Sequence, residues 1–246
     1  MTHRAFALAL AVAALMQPAF AGEPRAVIEL FTSQGCSSCP AADKLLGELR
    51  RDPSLVALSL PVDYWDYLGW KDTLALHGHT VRQQEYAQAR GDREVYTPQV
   101  VVNGVAHVLG SDKAAIEKTI AKTRAEDKPL TVPVMLNVAD GKLTVSVADS
   151  ADAANANAEV WLCPFASKIP VQVERGENRG RTLTYYDVVR RWVKLGIWNG
   201  KAANFSVPVA DVVKGEKDID HVAVLVQREP HGRPGLMLGA ATASLR

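Results

Sequence analysis

The sequence predicts an α/β domain followed by an all-β domain. An apolar run that starts at Ala26 leads through a tight turn into Cys36-Ser-Ser-Cys39 and then into leucines at helical spacing. Strand-like and helical patterns alternate up to about residue 126. From residue 129 onward, apolar and polar residues alternate and Gly, Pro and Asn separate the runs. This change of period predicts two domains, residues 22–126 and 129–246.

Residues 1–21 have the pattern of a signal peptide. Arg4 supplies a short basic region, residues 5–16 are apolar, and Ala19-Phe20-Ala21 is typical of a cleavage site. The apolar run is shorter than the ~20 residues that span a bilayer. We therefore expect a periplasmic or secreted protein without a stable membrane anchor.

Charge and cysteine content exclude several classes of function. The formal net charge is +1 and the basic residues are scattered, so no nucleic-acid surface is predicted. The sequence contains no P-loop, dinucleotide fingerprint or Ser/His/Asp order, and no cofactor is expected. Of the 3 cysteines, Cys163 lies in an apolar stretch, which favours a buried, inert thiol over an intermolecular disulfide.

The Cys36-x-x-Cys39 motif has the layout of a dithiol redox site. Pro40 suits the first turn of a helix, where its missing N–H would be unbonded in any case. A sulfur at a helix N-terminus lies beside free N–H groups and the positive end of the dipole, so its pKa falls below ~8.5. Cys36 is therefore the expected catalytic nucleophile, and Cys39 the catalytic cysteine that resolves a mixed disulfide. These roles require Cys36 to be accessible.

Further elements follow the first helix in order. Residues 55–60 form an apolar run of strand length, and residues 62–91 form a helical insertion. Residues 95–109 are two valine-rich runs around Asn103-Gly104, which predicts a hairpin with a type I′ turn. Ser111 and Asp112 are suitable caps for a last helix.

This order resembles the thioredoxin fold. The resemblance implies that the Thr97–Pro98 bond is cis, and that Thr97 and Pro98 face the dithiol and bind the substrate. It also implies a proton-transfer role for Glu29, as a buried acid serving Cys39, although a solvent-facing carboxylate is equally compatible with the pattern. The Ser37-Ser38 dipeptide differs from the Gly-Pro and Pro-His of well-studied relatives, which leaves the redox potential open.

A closer resemblance covers nearly all of the mature chain. The sequence is similar to an exported thioredoxin-like family known as domain of unknown function 1223, and the similarity is carried by six segments: residues 29–40, 62–72, 80–86, 96–100, 175–180 and 186–190. The resemblance implies a fold and a compartment. It implies no substrate.

The insertion carries residues with two possible roles. Its aromatic residues either line a groove beside Cys36, with Trp65 as a substrate-binding residue, or pack in the core. His77 and His79, together with the two cysteines of the motif, form a possible set of ligands for zinc or a soft copper ion. Because the motif has the disulfide option outside the cytoplasm, no metal ligand is assigned.

About eight strands are predicted in the second half of the chain. Turns between them, and the absence of a helical period, favour a sandwich-like arrangement. The predicted runs are residues 132–138, 143–147, 160–162, 169–174, 181–192, 205–209, 222–226 and 236–243. The charged stretch 175–181 fits a solvated hairpin tip, a cap on the redox groove or a site for an anionic partner.

The sequence thus predicts an exported thiol–disulfide oxidoreductase. Its partners would be protein or small-molecule thiols and disulfides, together with a redox recycling partner. Two alternatives remain: a binding module in which Cys36–Cys39 is a permanent structural disulfide, and a metal-binding protein of the same fold. A structural disulfide would have a potential below about −300 mV.

Overall fold

The computed structural model describes residues 24–151 and 157–245, so the predicted signal peptide lies outside the described residues. The structure is mixed α/β, with one large central sheet. The strands are β1 (Ala26–Thr32), β2 (Leu55–Pro61), β3 (Gln99–Val102), β4 (Ala106–Leu109), β5 (Val134–Ala139), β6 (Lys142–Val147), β7 (Ala158–Gln172), β8 (Thr182–Val189), β9 (Val193–Trp198), β10 (Ala203–Pro208), β11 (His221–Arg228) and β12 (Met237–Ser244). The α-helices are α1 (Cys39–Leu49), α2 (His77–Arg90), α3 (Lys113–Glu126) and the short α4 (Val209–Val212).

Nine strands form the central sheet. Eight follow the order β12-β11-β7-β8-β2-β1-β3-β4, and β9 pairs with the first part of β7. β1 is parallel to β2 and antiparallel to β3. β8 joins β2 in parallel at the pair Ser59 and Val188, which connects the two halves of the chain.

Helices cover both faces of the first half of this sheet. Because side chains alternate along a strand, Ile28 and Leu30 of β1 pack with α1 and α3, whereas Val27 and Phe31 pack on the other face with Tyr86 of α2. All seven residues of β1 and of β2 are buried. The Cys36-x-x-Cys39 motif therefore follows a strand that is fixed on both faces.

The predicted independent sandwich is corrected by the sheet topology. β7, β8, β9, β11 and β12 extend the sheet of the first half, and only β5, β6 and β10 form a second sheet. This small sheet packs on one face of β7, β11 and β12, as in a sandwich, but the larger layer is shared with the first half. The physical reason is that β2 is buried throughout and apolar except at Ser59, and such a strand needs a neighbour on both edges. The proposed domain boundary near 126–129 stays a prediction.

Two predicted strand boundaries are also wrong. The sequence predicts separate strands at residues 160–162 and 169–174, yet β7 is continuous through Pro164 and Pro170. It remains paired because its neighbour changes from β9, beside residues 158–162, to β8, beside residues 165–172. The run predicted at 181–192 ends at Val189, and the chain turns there into β9.

Several local predictions are confirmed. Pro40 occupies the first turn of α1, and the Asp112 carboxylate caps α3 by accepting from the Ala115 N–H. Asn103 and Gly104 both have positive φ, as a type I′ turn requires. The insertion contains a short 3-10 helix, Asp66–Leu68, followed by α2. In the described ranges, none of the helices is both long and apolar enough to span a bilayer.

Candidate redox site

Cys36 and Cys39 form a disulfide at the start of α1, with their Cα atoms 5.4 Å apart. Cys39 is the first residue of the helix and Ser38 is its N-cap. The Thr97–Pro98 peptide bond is cis, as the resemblance implies. The Thr97 carbonyl oxygen lies 3.8 Å from Cys36 Sγ, so the structure brings the dithiol and the Thr-Pro turn together.

Trp65 connects the insertion to this site. Its indole Nε1 donates to Thr97 Oγ1 at 2.8 Å. A Cβ atom at Gly35 would lie 3.0 Å from the Trp65 Cβ, so the turn before Cys36 passes very close to this residue. The Trp65 ring stacks on that of Tyr67, whose side chain is 78% exposed. Trp65 itself is partly buried against the core, so the same side chain lies beside the Cys36 turn and also packs on the core.

Both sulfurs are sealed from solvent. Cys36 is 1% exposed and Cys39 is 0% exposed, so the prediction of an accessible Cys36 is wrong for this conformation. Within the motif only Ser37 and Ser38 are exposed. A nucleophile outside the protein does not reach Cys36 Sγ unless a neighbouring segment moves.

The segment Arg175–Arg181, which we call the 175–181 tip, lies against the motif. Asn178 is fully buried, and its Nδ2 donates to the carbonyl oxygens of Gln34 and Cys36, both at 2.9 Å. The Glu177 carboxylate accepts from the Ser37 N–H at 3.1 Å. Of the alternatives for this charged stretch, the structure therefore supports a cap on the site.

The tip is held by bonds within its own hairpin. Arg181 donates to Asn178 Oδ1 at 2.7 Å, and the Gly180 N–H donates to the Val173 carbonyl oxygen at 2.8 Å. Both the nitrogen and the oxygen of the Asn178 amide are therefore hydrogen-bonded, and these bonds determine the orientation of the amide. No pattern in the sequence distinguishes Asn178 from other turn asparagines.

Glu29 lies away from the disulfide. Its carboxylate accepts from Arg82 Nε at 2.7 Å and from the Tyr86 hydroxyl at 2.5 Å, and both partners belong to α2. The reason is strand alternation: Glu29 shares a face with Val27 and Phe31, whereas α1 packs on the opposite face. Glu29 is buried, but the structure does not connect it to Cys39.

Asp43 is a buried acid that the sequence reasoning missed. It lies on α1 four residues after Cys39, a spacing that places two side chains on the same face of a helix. Its Oδ1 accepts from the Thr32 hydroxyl at 2.8 Å, and its Oδ2 has no hydrogen-bond partner among the described residues. Burial raises the pKa of Asp43 to about 8. The i, i+4 spacing from Cys39 was the signal in the sequence.

Asp72 is a second buried acid close to the motif. Its carboxylate accepts from the N–H groups of Gln34, at 2.7 Å, and Leu74, at 2.8 Å, and so fixes the turn that leads to Cys36. Burial raises the pKa of Asp72 to about 6. The negative charge of Asp72 contributes to the raised pKa of Asp43.

The possible metal ligands are not brought together. The His77 ring contacts Asp63 at 2.9 Å. His79 is buried, its Nδ1 is bonded to the Pro61 carbonyl, and burial lowers its pKa to about 4. In the part of the chain that the structure describes, no three His, Cys, Asp or Glu residues are arranged to hold a metal ion. Cys163 is unpaired and buried, and burial raises the pKa of its thiol.

The fold and site define a mixed α/β protein with a sealed disulfide at the N-terminus of a helix. The chain belongs to the family described as protein of unknown function DUF1223, which matches residues 27–227. Protein AGR_C_4864 from Agrobacterium tumefaciens, known from a crystal structure, is 34% identical, with 92% of this chain and 96% of that chain covered and a TM-score of 0.81. HBP35 of Porphyromonas gingivalis shares the fold at a TM-score of 0.62 and 15% identity, with 91% of this chain and 76% of that chain covered. No curated protein matches.

Proposed function

We propose that this protein is an exported, thioredoxin-like enzyme that performs thiol–disulfide exchange through Cys36 and Cys39. The observation that carries the proposal is the disulfide at the start of α1, 3.8 Å from the carbonyl oxygen of Thr97, the residue before Pro98. The order β1-α1-β2, then α2, the β3-β4 hairpin and α3, supports a thioredoxin-like first half. Export is inferred from the pattern of residues 1–21.

In the exchange, the electrons that one partner loses are gained by the other, so the substrate thiols are oxidised as the Cys36–Cys39 disulfide is reduced. A substrate thiolate attacks Cys36 Sγ, the Cys36–Cys39 bond breaks, and Cys39 leaves as a thiolate. Thr97 and Pro98 bind the substrate backbone and Trp65 contacts its side chains. A second substrate thiolate then forms the substrate disulfide and releases Cys36, so that two electrons pass to the protein. The reverse sequence reduces a disulfide, and a partner carrying a thiol or disulfide recycles the site.

Asp43 takes the proton-transfer role that the resemblance gave to Glu29. It lies one helical turn from Cys39, is 4% exposed and has a free carboxylate oxygen. With a pKa of about 8, its carboxyl group is protonated at neutral pH and can supply a proton to the leaving Cys39 thiolate.

Exchange requires the 175–181 tip to move away from the motif. The tip is attached to the motif through the two Asn178 hydrogen bonds and the Glu177 contact with Ser37. Replacing such bonds with bonds to water costs about 1 kcal/mol each. An open state is therefore within reach of ordinary local fluctuations.

The second candidate function is a binding module with a permanent structural disulfide. The burial of both sulfurs favours it, since neither is more than 1% exposed. The two functions differ in redox potential. A catalytic pair equilibrates with buffers between about −270 and −120 mV, whereas a structural disulfide lies below about −300 mV.

The decisive experiment combines a redox titration with trapping. Cys39→Ala leaves Cys36 as a free thiol, and we expect its thiolate to attack a peptide disulfide and to stay in a stable mixed disulfide while the second peptide sulfur leaves as a thiolate. Cys36→Ala is the matched control and should trap little, because Cys36 is the cysteine whose sulfur lies beside the Thr97 carbonyl oxygen, where the substrate backbone would bind. A potential below about −300 mV, together with no trapped peptide, would establish the structural role.

A further inference from the structure

A second site lies on the surface near the end of α2. It is a cavity of about 580 Å³ between the last two turns of α2, the segment 91–95 and Arg233. This volume is within the range of about 300–1,000 Å³ that is usual for ligand sites. The redox chemistry proposed above does not use it.

The lining of the cavity is positively charged. Arg93 and Arg233 are its only charged residues, Gln84 and Gln88 add amides, and the rest of the described lining is uncharged. Arg233 Nε donates to Gln88 Oε1 at 3.2 Å, which orients the guanidinium group. Neither arginine forms an ion pair with another described residue. The neighbouring Asp92 is already paired with Arg90 and His107.

The cavity adjoins the cis-proline turn along the chain. Val95 lines it and lies two residues before Thr97, and Gln83 of α2 donates to the intervening Tyr96 carbonyl at 2.8 Å. An extended chain advances ~3.3 Å per residue. A peptide that pairs with Thr97 therefore reaches the cavity roughly two to four residues from its cysteine.

We propose that this cavity binds an aspartate or glutamate side chain of a polypeptide substrate held at the redox site. The proposal rests on the proposed function and adds a substrate class, namely chains with an acidic residue close to the reacting cysteine. Arginine suits the role because its planar group forms paired hydrogen bonds with a carboxylate. Two such groups, with no acid in the described lining, favour an anion over a neutral side chain.

The test uses two labelled peptides that differ only in Glu or Gln three residues from a serine that replaces the cysteine. Fluorescence anisotropy with the oxidised full-length protein measures binding without any redox step. We expect the Glu peptide to bind about tenfold more tightly, which corresponds to ~1.4 kcal/mol. The difference should disappear in Arg93→Gln/Arg233→Gln and persist in Arg51→Gln, a control at an exposed position on α1's C-terminal side.

The result separates the cavity from the redox function. Equal affinity of the wild-type protein for the two peptides would overturn the carboxylate site. An unchanged preference for Glu in the double arginine variant would do the same. The cysteine-containing versions then report on exchange: slow exchange with both peptides, despite selective binding, contradicts the redox function and leaves the acidic site supported.

Discussion

The Asn178 side chain links the two halves of the chain at the Cys36–Cys39 motif through a single nitrogen atom. Its Nδ2 donates to the carbonyl oxygens of Gln34 and Cys36 from a fully buried position. Asn178→Ala removes both bonds, and each is worth about 1 kcal/mol. The two bonds together amount to about 2 kcal/mol, so we expect dithiothreitol to reduce the Cys36–Cys39 disulfide about thirtyfold faster in this variant.

The measurement is the pseudo-first-order rate of reduction, followed by alkylation and mass spectrometry. Asn199→Ala is the control, since Asn199 is an exposed turn residue whose side chain accepts from the Lys201 N–H. If Asn178→Ala and Asn199→Ala are reduced at the same rate, the 175–181 tip does not limit access to Cys36.

Asp43 gives stability an unusual dependence on pH. Its pKa is about 8 in the folded protein, compared with ~3.9 in an unfolded chain, so the folded state binds the additional proton between these values. The stabilisation of the folded state by this proton is complete below about pH 4. It is lost as the pH rises to about 8, by up to ~1.4 kcal/mol for each pH unit. Asp43→Asn removes this loss, so the variant should gain stability relative to wild type as the pH rises.

Urea unfolding of the oxidised protein at pH 5, 7 and 9 measures this effect. Asp149→Asn, at an exposed position, is the control for loss of one carboxylate. Parallel stability curves for wild type and Asp43→Asn would show that Asp43 is ionised throughout this range.

The contrast between Glu29 and Asp43 shows the limit of sequence reasoning at this scale. The motif, the cis proline and Thr97 were predictable because they are local or carried by a resemblance. Which of the two acids, Glu29 or Asp43, lies on the same side of the sheet as Cys39 was not predictable, because it depends on which face of β1 each helix covers. Glu29 faces α2 and binds Arg82, whereas Asp43 is on the helix that carries Cys39.

At the scale of elements, α1 packs on β8 through a glycine. A Cβ atom at Gly47 would lie 2.5 Å from Tyr186 Cε2, and Arg50 lies over the same ring at 5.9 Å. Gly47→Ala improves helix propensity by ~1 kcal/mol but forces the ring away, at a cost of about 1–3 kcal/mol. We therefore expect net destabilisation.

Gly78→Ala is the matched control in α2. An added Cβ atom at Gly78 meets nothing within 4 Å, so only the helix propensity changes. The control should stabilise the protein by up to ~1 kcal/mol, measured by urea unfolding. Stabilisation of similar size by both substitutions would contradict close packing between α1 and β8.

The strands of the second half show that sequence periodicity predicts where strands form better than it predicts how they pair. Alternation in the second half predicts about eight strands, and the described residues after α3 contain eight, but two of the predicted runs merge into β7 and β9 is not among the predicted runs. Pairing was less predictable, because the partner of β2 is β8, more than 120 residues later in the chain. An apolar run such as residues 55–60 indicates that both edges need neighbours, but it does not say which strand supplies them.

At the scale of the whole molecule, a buried polar network connects the two halves. Arg82 is buried and bonded to Glu29, to the Tyr86 hydroxyl and to Gln227 Oε1, the last at 2.8 Å. Gln227 Nε2 in turn donates to the Gly235 carbonyl oxygen. A buried ion pair is stable only when its remaining hydrogen-bonding capacity is satisfied, and here β11 of the second half satisfies it.

This network and the shared sheet predict that residues 24–126 and 130–245 unfold together. Hydrogen exchange in increasing urea should show β1 and β11 losing protection with the same midpoint. Gln227→Ala leaves part of the buried Arg82 group unpaired, so both midpoints should fall by the same amount. If β11 exchanges at lower urea than β1, the boundary predicted near residues 126–129 separates two independent folding units, and the second half acts on the redox site only as a detachable cover.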